Sequence, residues 1–275
     1  MTFRSPSFSS SPLGTALAAA LASREARSIR RQLPSPSAAS LADFTSNDYL
    51  SLAASPLLRS HFLQRLSDAA YILGSGGSRL LVNGHRHAQL ENRLKSFFGS
   101  EEALLFNSGF DANTAFFECI PQPGDVVVYD EYIHASVHDG MRASRIGSAD
   151  RLWFRHNDVA DLKRVLKGVR ERPLPGGSVF VAVESVYSMD GTVLPLREVC
   201  DAVDDANGYL IVDEAHATGL YGPQGKGRVA MAGLEDRVLA RLCTFGKALG
   251  ASGGESNSSL QLRDGLTRLC MQRFY

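Results

Sequence analysis

Short apolar runs alternate along the chain with segments whose apolar residues recur at helical spacing. Segment 157–171 is typical of the second kind, because Val159, Leu162 and Leu166 share one helical face behind an Asn or Asp cap. The predicted strands are 102–106, 125–130, 178–185, 209–214 and 238–245. The predicted helices are 13–33, 111–120, 157–171 and 196–208.

Continuous apolar strands separated by helices indicate a mainly parallel sheet that is covered by helices on both faces. In such sheets, ligands bind at the carboxyl ends of the strands. We therefore predict an α/β fold whose functional residues follow the strand ends. Before this region, the Ser- and Pro-rich residues 1–12 are predicted to be disordered, and the helix from Leu13 is expected to end at Pro34 and Pro36.

Charge and composition narrow the range of partners that the protein is expected to bind. The chain has 29 basic and 29 acidic side chains, so neither nucleic acid nor an anionic membrane is expected. No apolar run approaches the roughly 18–20 residues of a membrane span. The widely spaced cysteines predict buried thiols, with no disulfide framework and no metal site. A cytoplasmic location is expected; the alternative is a mitochondrion or another organelle, because Arg4 lies in an acid-free N-terminus.

Polar or glycine-containing turns follow the predicted strands. Because the carboxyl ends of parallel strands meet at one edge of a sheet, these residues are expected to lie close together. They are Gly109 and Phe110, His134, Ser188, Asp213 and His216, and Lys247.

A buried aspartate and a lysine among small residues suit pyridoxal phosphate (PLP). An aspartate at the end of a buried strand needs a cationic partner, and Asp213 could pair with the pyridinium nitrogen. Lys247 could bond to the aldehyde, and "SGFDAN", which leads into a helix, could bind the phosphate.

Several long stretches resemble the α-oxoamine synthase family of PLP enzymes, in the order that the family has them. They cover about residues 13–254 and include "DFTSNDYLSL", "LGSGGSRLLVNGHRHAQLENRLKSFFGSEEALLFNSGFDAN", "DEYIHASVHDGMR", "VYSMDGTVLPL", "VDEAHATGLYGPQGKGR" and "TFGKALGASGG". The resemblance implies the large domain of PLP-dependent transferase fold type I. It predicts an N-terminal arm at 13–45 and a PLP-binding domain at 46–254.

The resemblance also implies a role for each candidate residue. Lys247 would form the Schiff base and move the α-proton of the amino acid, with Asp213 on the ring nitrogen and His134 stacked on the ring; these are the expected catalytic residues. The other expected cofactor contacts are Thr244, Gly109 and Phe110 at the phosphate, His216 at the phenolic oxygen, and Ser188. Asn47 and the segment 74–79 are family motifs near the site.

The implied activity is a PLP-dependent acyl transfer that condenses an amino acid with an acyl thioester and releases carbon dioxide. "NSGF" and "TFGK" are most similar to the branch that makes 8-amino-7-oxononanoate for biotin. Glycine acetyltransferase, 5-aminolevulinate synthase and secondary-metabolism branches stay open, as does a non-catalytic partner of a longer relative. The family implies a homodimer.

The motif "DEAH" also occurs in nucleotide-hydrolysing helicases, which need an upstream phosphate-binding loop of the type GxxxxGK[ST]. Neither Lys226 nor Lys247 lies in such a loop, because Leu220 and Arg241 occupy the positions of the first glycine. This alternative is therefore set aside.

The end of the chain departs from the family pattern. The family continues from "GASGG" into an antiparallel strand and then a small C-terminal domain that carries an arginine for the substrate carboxylate. Here "ESNSSLQL" lacks the apolar run of a buried strand. We therefore expect an atypical tail at 255–275, a missing strand and a missing small domain, with little synthase turnover.

Overall fold

The computed structural model describes residues 9, 11–33, 42–74, 76–77, 79, 84–172, 176–259 and 262–268. The chain divides into two compact units, residues 1–45 and residues 46–275. In the first unit, helix α1 (Pro12–Ala26) begins at Ser11, whose hydroxyl accepts a hydrogen bond from the amide of Gly14 at 3.0 Å. The helix ends before the predicted Pro34, because Ser28 adopts a left-handed φ of 54° that no α-helix continues through. Both prolines, and most of the segment predicted to be disordered, lie outside the described residues.

The second unit is built on a seven-stranded sheet with the order β1-β7-β6-β5-β4-β2-β3. The strands are β1 (Glu102–Phe106), β2 (Val126–Asp130), β3 (Arg151–Phe154), β4 (Val179–Glu184), β5 (Tyr209–Asp213), β6 (Ala240–Thr244) and β7 (Gly254–Ser258). Only β7 pairs antiparallel to its neighbours. The predicted α/β class is confirmed, and five strands lie where the apolar runs predict them.

Helices cover both faces of this sheet. The helices of this unit are α2 (Pro56–Ser67), α3 (His85–Phe98), α4 (Gly109–Cys119), α5 (Ala135–Ala143), α6 (Val159–Arg170), α7 (Leu196–Asp205) and α8 (Arg228–Ala232), and residues 262–268 are also helical. Successive strand residues point to opposite faces, so Phe180 belongs to the apolar cluster that contains Phe116 of α4, while Val181 belongs to the cluster that contains Leu162 of α6. Apolar residues on both faces explain why the parallel strands are continuous apolar runs.

The expectation of a missing antiparallel strand is wrong. Strand β7 lies between β1 and β6, and Glu255 is paired with Leu105 on one side and Cys243 on the other. Polar side chains are tolerated here because they bond to one another: the Asn257 amide donates to Glu255 Oε1 at 3.0 Å. Burial raises the pKa of Glu255 to about 7, so the carboxyl can hold a proton instead of a buried charge.

The described cysteines differ from the predicted set of thiols. Cys200 and Cys243 are free and buried. Cys119 is disulfide-bonded, so the prediction is wrong at this residue. Cys270 lies outside the described residues. No helix among the described residues is long and apolar enough to cross a membrane, and the location of the protein stays a prediction.

Candidate active site

The predicted site residues lie at one edge of the sheet, because β1, β6, β5, β4 and β2 run in the same direction. Each residue lies at or just beyond the carboxyl end of its strand. Gly109 and Phe110 open α4 after β1, His134 caps α5 after β2, Ser188 follows β4, Asp213 ends β5 and precedes His216, and Thr244 ends β6 and precedes Lys247.

The carboxylate of Asp213 is buried and held in place. One oxygen accepts a hydrogen bond from the Asn113 side chain at 2.7 Å, and the other accepts one from the backbone of Ala215 at 2.8 Å. Asn113 was not singled out from the sequence, although it lies in the quoted "SGFDAN". Its position on the first turns of α4 allows it to reach β5.

Two carboxyl groups flank the half-buried amine of Lys247. Burial lowers the pKa of Lys247, and the charges of Asp213 and Glu184 partly oppose this shift. Glu184 is paired in register with Asp213, so both side chains point to the same face. Burial, with repulsion from Asp213, raises the pKa of Glu184 to about 8. A lysine with a lowered pKa holds more of its neutral, nucleophilic form.

The surroundings of both candidate histidines favour the neutral form of the imidazole ring. Burial lowers the pKa of His134, and its Nδ1 accepts a hydrogen bond from the backbone of Ser136 at 3.2 Å. The ring of Phe110 meets the His134 ring edge-on at 6.0 Å. Burial, with the charge of Lys247, lowers the pKa of His216 to about 4. A neutral imidazole can stack on a ring or form a hydrogen bond without adding positive charge.

Asn47, in one of the family motifs, is connected to the site by hydrogen bonds of a tyrosine. The Tyr49 hydroxyl lies 3.1 Å from His216 Nδ1 and donates to Asn47 Oδ1 at 3.0 Å. Sequence reasoning placed Asn47 near the site without this connection. Tyr49 lies in the quoted motif "DFTSNDYLSL", and its role depends on a contact across most of the chain.

The start of α4 forms a close-fitting cradle with Thr244. A Cβ atom on Gly109 would lie 2.9 Å from Thr244 Cβ, and one on Gly254 would lie 2.5 Å from the backbone nitrogen of Gly109. The first amides of a helix have no partners within the helix, and the helix dipole favours an anion there. With the Thr244 hydroxyl alongside, the cradle suits a phosphate group. Strand β7 pairs with both β1 and β6, and so connects the two sides of the cradle.

Three predicted features are less central. Ser188 is exposed, and its backbone partly opposes the rise in the pKa of Glu184. In segment 74–79, Arg79 is buried in an ion pair with Glu91 at 2.5 Å and supports β1. Lys226, the lysine of the other Gly-Lys pair, extends towards the Phe97 ring, with its Nζ 5.2 Å from the ring centroid.

These observations fit PLP: an oriented carboxylate for a ring nitrogen, a lysine with a lowered pKa, neutral histidines and a phosphate cradle. The fold is that of the PLP-dependent transferases of fold type I. The chain belongs to the family described as aminotransferase class I and II, whose model matches residues 39–272.

Three similar proteins place the chain further within this family. An 8-amino-7-oxononanoate synthase of Emericella nidulans is 46% identical over 96% of this chain and 66% of its own length. Aminoacyl transferase sphA of Byssochlamys spectabilis is 43% identical over 82% of this chain and 49% of its own length. A serine palmitoyltransferase of S. paucimobilis, solved with bound PLP, has a TM-score of 0.72 and 29% identity, and the match covers 84% of this chain and 56% of that one.

Among these relatives are α-oxoamine synthases, which confirms the predicted family. The chain spans about half to two thirds of the length of these curated relatives.

Proposed function

We propose that this protein acts as an α-oxoamine synthase, which joins an amino acid to an acyl thioester and releases carbon dioxide. The observation that carries the proposal is the set of Lys247, Asp213 and the Gly109–Thr244 cradle at one edge of the sheet. The similarity to 8-amino-7-oxononanoate synthase supports the biotin branch as the specific activity.

Several residues would hold the cofactor. The cradle of Gly109, Phe110 and Thr244 would bind its phosphate, and His134 would stack on its ring. His216 would contact the phenolic oxygen, held in orientation by Tyr49. Ser188, in the turn after β4, would add a contact from the opposite side of the site.

When bound, PLP supplies an aldehyde and an electron-withdrawing ring that stabilises negative charge at the α-carbon of an amino acid. Asp213 would accept a hydrogen bond from the protonated ring nitrogen, and Asn113 keeps the carboxylate in one orientation. Lys247 Nζ would take the α-proton, since burial lowers its pKa and so raises the share of the free amine.

The test of this proposal is cofactor attachment. Purified protein mixed with PLP should become yellow, and reduction with borohydride followed by peptide mapping should label Lys247. Lys247→Ala should abolish the visible band, whereas the control Lys226→Ala should keep it. A label on Lys226, or no visible band in the unmodified chain, would rule out this site.

A second measurement separates catalysis from binding. Release of coenzyme A from several acyl thioesters is followed with alanine, glycine or serine as the amino acid. Release that depends on Lys247 supports the synthase, and the preferred pair of substrates identifies the branch. A chain that binds PLP at Lys247 and releases no coenzyme A is instead a cofactor-binding partner of another subunit.

A further inference from the structure

A third histidine, outside the set discussed so far, connects two strand ends beside the site. His156 Nδ1 donates to Asp130 Oδ1 at 2.8 Å. On the other side of the ring, His156 Nε2 lies 2.7 Å from the Thr192 hydroxyl and 3.6 Å from a carboxylate oxygen of Asp190. One imidazole therefore links the end of β2 to the turn that follows β4.

The ring of His156 is held on its faces as well as at its nitrogens. It stacks on Tyr132, with centroids 4.2 Å apart and planes 16° from parallel. The Tyr187 ring meets it edge-on at 4.4 Å. Because both nitrogens have partners and a tyrosine covers one face, the ring is not available to a reacting group.

The attachment point on β2 is rigid. Asp130 is fully buried. Its two carboxylate oxygens also accept backbone hydrogen bonds from Tyr132 and from Asn157, each at 2.9 Å. A group fixed in this way can hold its partner in one position, because any movement would leave a buried carboxylate without hydrogen bonds.

The turn at the other end carries a predicted cofactor contact. Residues 187–192 are closed by a hydrogen bond from the Tyr187 amide to the Thr192 carbonyl at 2.9 Å. Ser188 lies inside this turn, and its backbone partly opposes the rise in the pKa of Glu184, the carboxyl group beside Lys247. A displacement of the turn would therefore move Ser188 and change the surroundings of the Glu184 carboxyl.

We propose that His156 is a positioning residue, which fixes the 187–192 turn against β2 and so sets the wall of the cofactor site before the cofactor binds. This inference rests on the proposed PLP site for its consequence, although the positioning itself concerns only residues of this chain. The positioning depends on a series of contacts that runs from Asp130 through His156 and Thr192 to the turn.

The test uses substitutions at both ends of the link. His156→Ala removes the ring and leaves the bond from the Thr192 hydroxyl to Asp190 Oδ1, at 2.7 Å, within the turn. Thr192→Val removes the hydroxyl with both of its contacts and leaves the Asp130–His156 contact intact. Thr192→Ser keeps the hydroxyl and should restore the behaviour of the unmodified chain. His87→Ala, at an exposed histidine on α3, is the control.

Two readouts are needed. In the cofactor-free chain, deuterium exchange of the peptide that contains 187–192 should become about three- to tenfold faster in His156→Ala and Thr192→Val, the range expected for loss of one hydrogen bond. In a PLP titration followed by visible absorbance, the same variants should raise the dissociation constant by a similar factor. Thr192→Ser and His87→Ala should match the unmodified chain in both.

The outcomes are distinguishable. Unchanged exchange in Thr192→Val and His156→Ala would overturn the proposal, and so would faster exchange with an unchanged PLP dissociation constant, because the link would then be structural only. If the unmodified chain binds no PLP, the proposed function fails, and the exchange experiment still decides whether His156 fixes the turn.

Discussion

At the scale of single residues, the site depends on the orientation and the protonation of two neighbouring carboxyl groups. Asp213 is oriented by Asn113 and by a backbone amide. Within the described residues, Glu184 Oε1 has no hydrogen-bond partner, and the pKa of this group is raised to about 8. A proton on Glu184 relieves its repulsion with Asp213 and leaves Asp213 to face a cationic ligand.

Glu184 should make the stability of the cofactor-free chain fall as pH rises. Its folded pKa of about 8 lies above its ordinary value of 4.5, so the folded protein binds the extra proton between these values. The free energy of unfolding should therefore decrease from about pH 4.5 to pH 8, by at most about 1.4 kcal/mol for each pH unit. Glu184→Gln, which has no proton to lose, should remove this part of the decrease.

Urea unfolding at several pH values measures this effect. The advantage of Glu184→Gln over the unmodified chain should be larger at pH 8 than at pH 5. Glu198→Gln, at an exposed position on α7, is the matched control. An equal difference between Glu184→Gln and the unmodified chain at both pH values would contradict the assigned pKa.

At the scale of secondary-structure elements, β7 joins the fold to the site. The strand pairs with β1 and β6 along its whole length, and its first residue, Gly254, lies opposite both Phe106 and Thr244. The absence of a side chain at Gly254 allows the start of α4 to approach β7 closely. The same strand therefore completes the sheet and sets the width of the phosphate cradle.

Gly254→Ala should impair cofactor binding as well as stability. The new Cβ would lie 2.5 Å from the Gly109 nitrogen, so the backbone of the cradle must shift. Overpacking of this kind costs about 1–3 kcal/mol, and we expect the PLP dissociation constant to rise at least tenfold. Urea unfolding and a PLP titration measure the two effects.

A glycine with free space provides the control for this substitution. Gly168 lies on α6, and a Cβ there would meet no atom within 4 Å. Gly168→Ala should stabilise the chain by about 0.5–1 kcal/mol and leave PLP binding unchanged. If Gly254→Ala behaved in the same way, the close approach of β7 to α4 would not matter for the cradle.

At the scale of the whole molecule, one helix leaves a large apolar surface in contact with solvent. Helix α2 has no buried residue, and its apolar side chains are exposed by 39% to 67%: Leu57, Leu58, Phe62, Leu63 and Leu66. Contiguous apolar patches of this kind mark interaction surfaces. Together with the dimer that the family resemblance implies, this surface makes a second copy of the chain the expected partner.

We therefore predict that the purified chain is a dimer and that Phe62→Glu on α2 shifts it towards the monomer. A charged side chain within an apolar contact must lose its hydration without gaining a partner, which disfavours association. Light scattering across a concentration series measures the mass. Trp153→Glu, at an exposed position on β3, is the control, and a monomer in the unmodified chain would exclude this interface.

The sequence by itself determined the class of fold and the edge of the sheet at which the chemistry lies. Five strands are continuous apolar runs because both of their faces are buried, and this burial is visible in the residue pattern. Asp213, Lys247 and the other candidates follow these runs directly, so their shared edge follows from the parallel direction of the strands.

Only the tertiary structure decided which polar residues belong to the core and to the site. The sequence of β7 resembles a polar tail because the strand is stabilised by backbone pairing with residues distant in the chain, which leaves no local pattern. Asn113, Tyr49 and His156 act through partners far away in the chain. Apolar burial leaves a periodic trace in a sequence, whereas a long-range hydrogen bond leaves none, and that is the physical reason for the division.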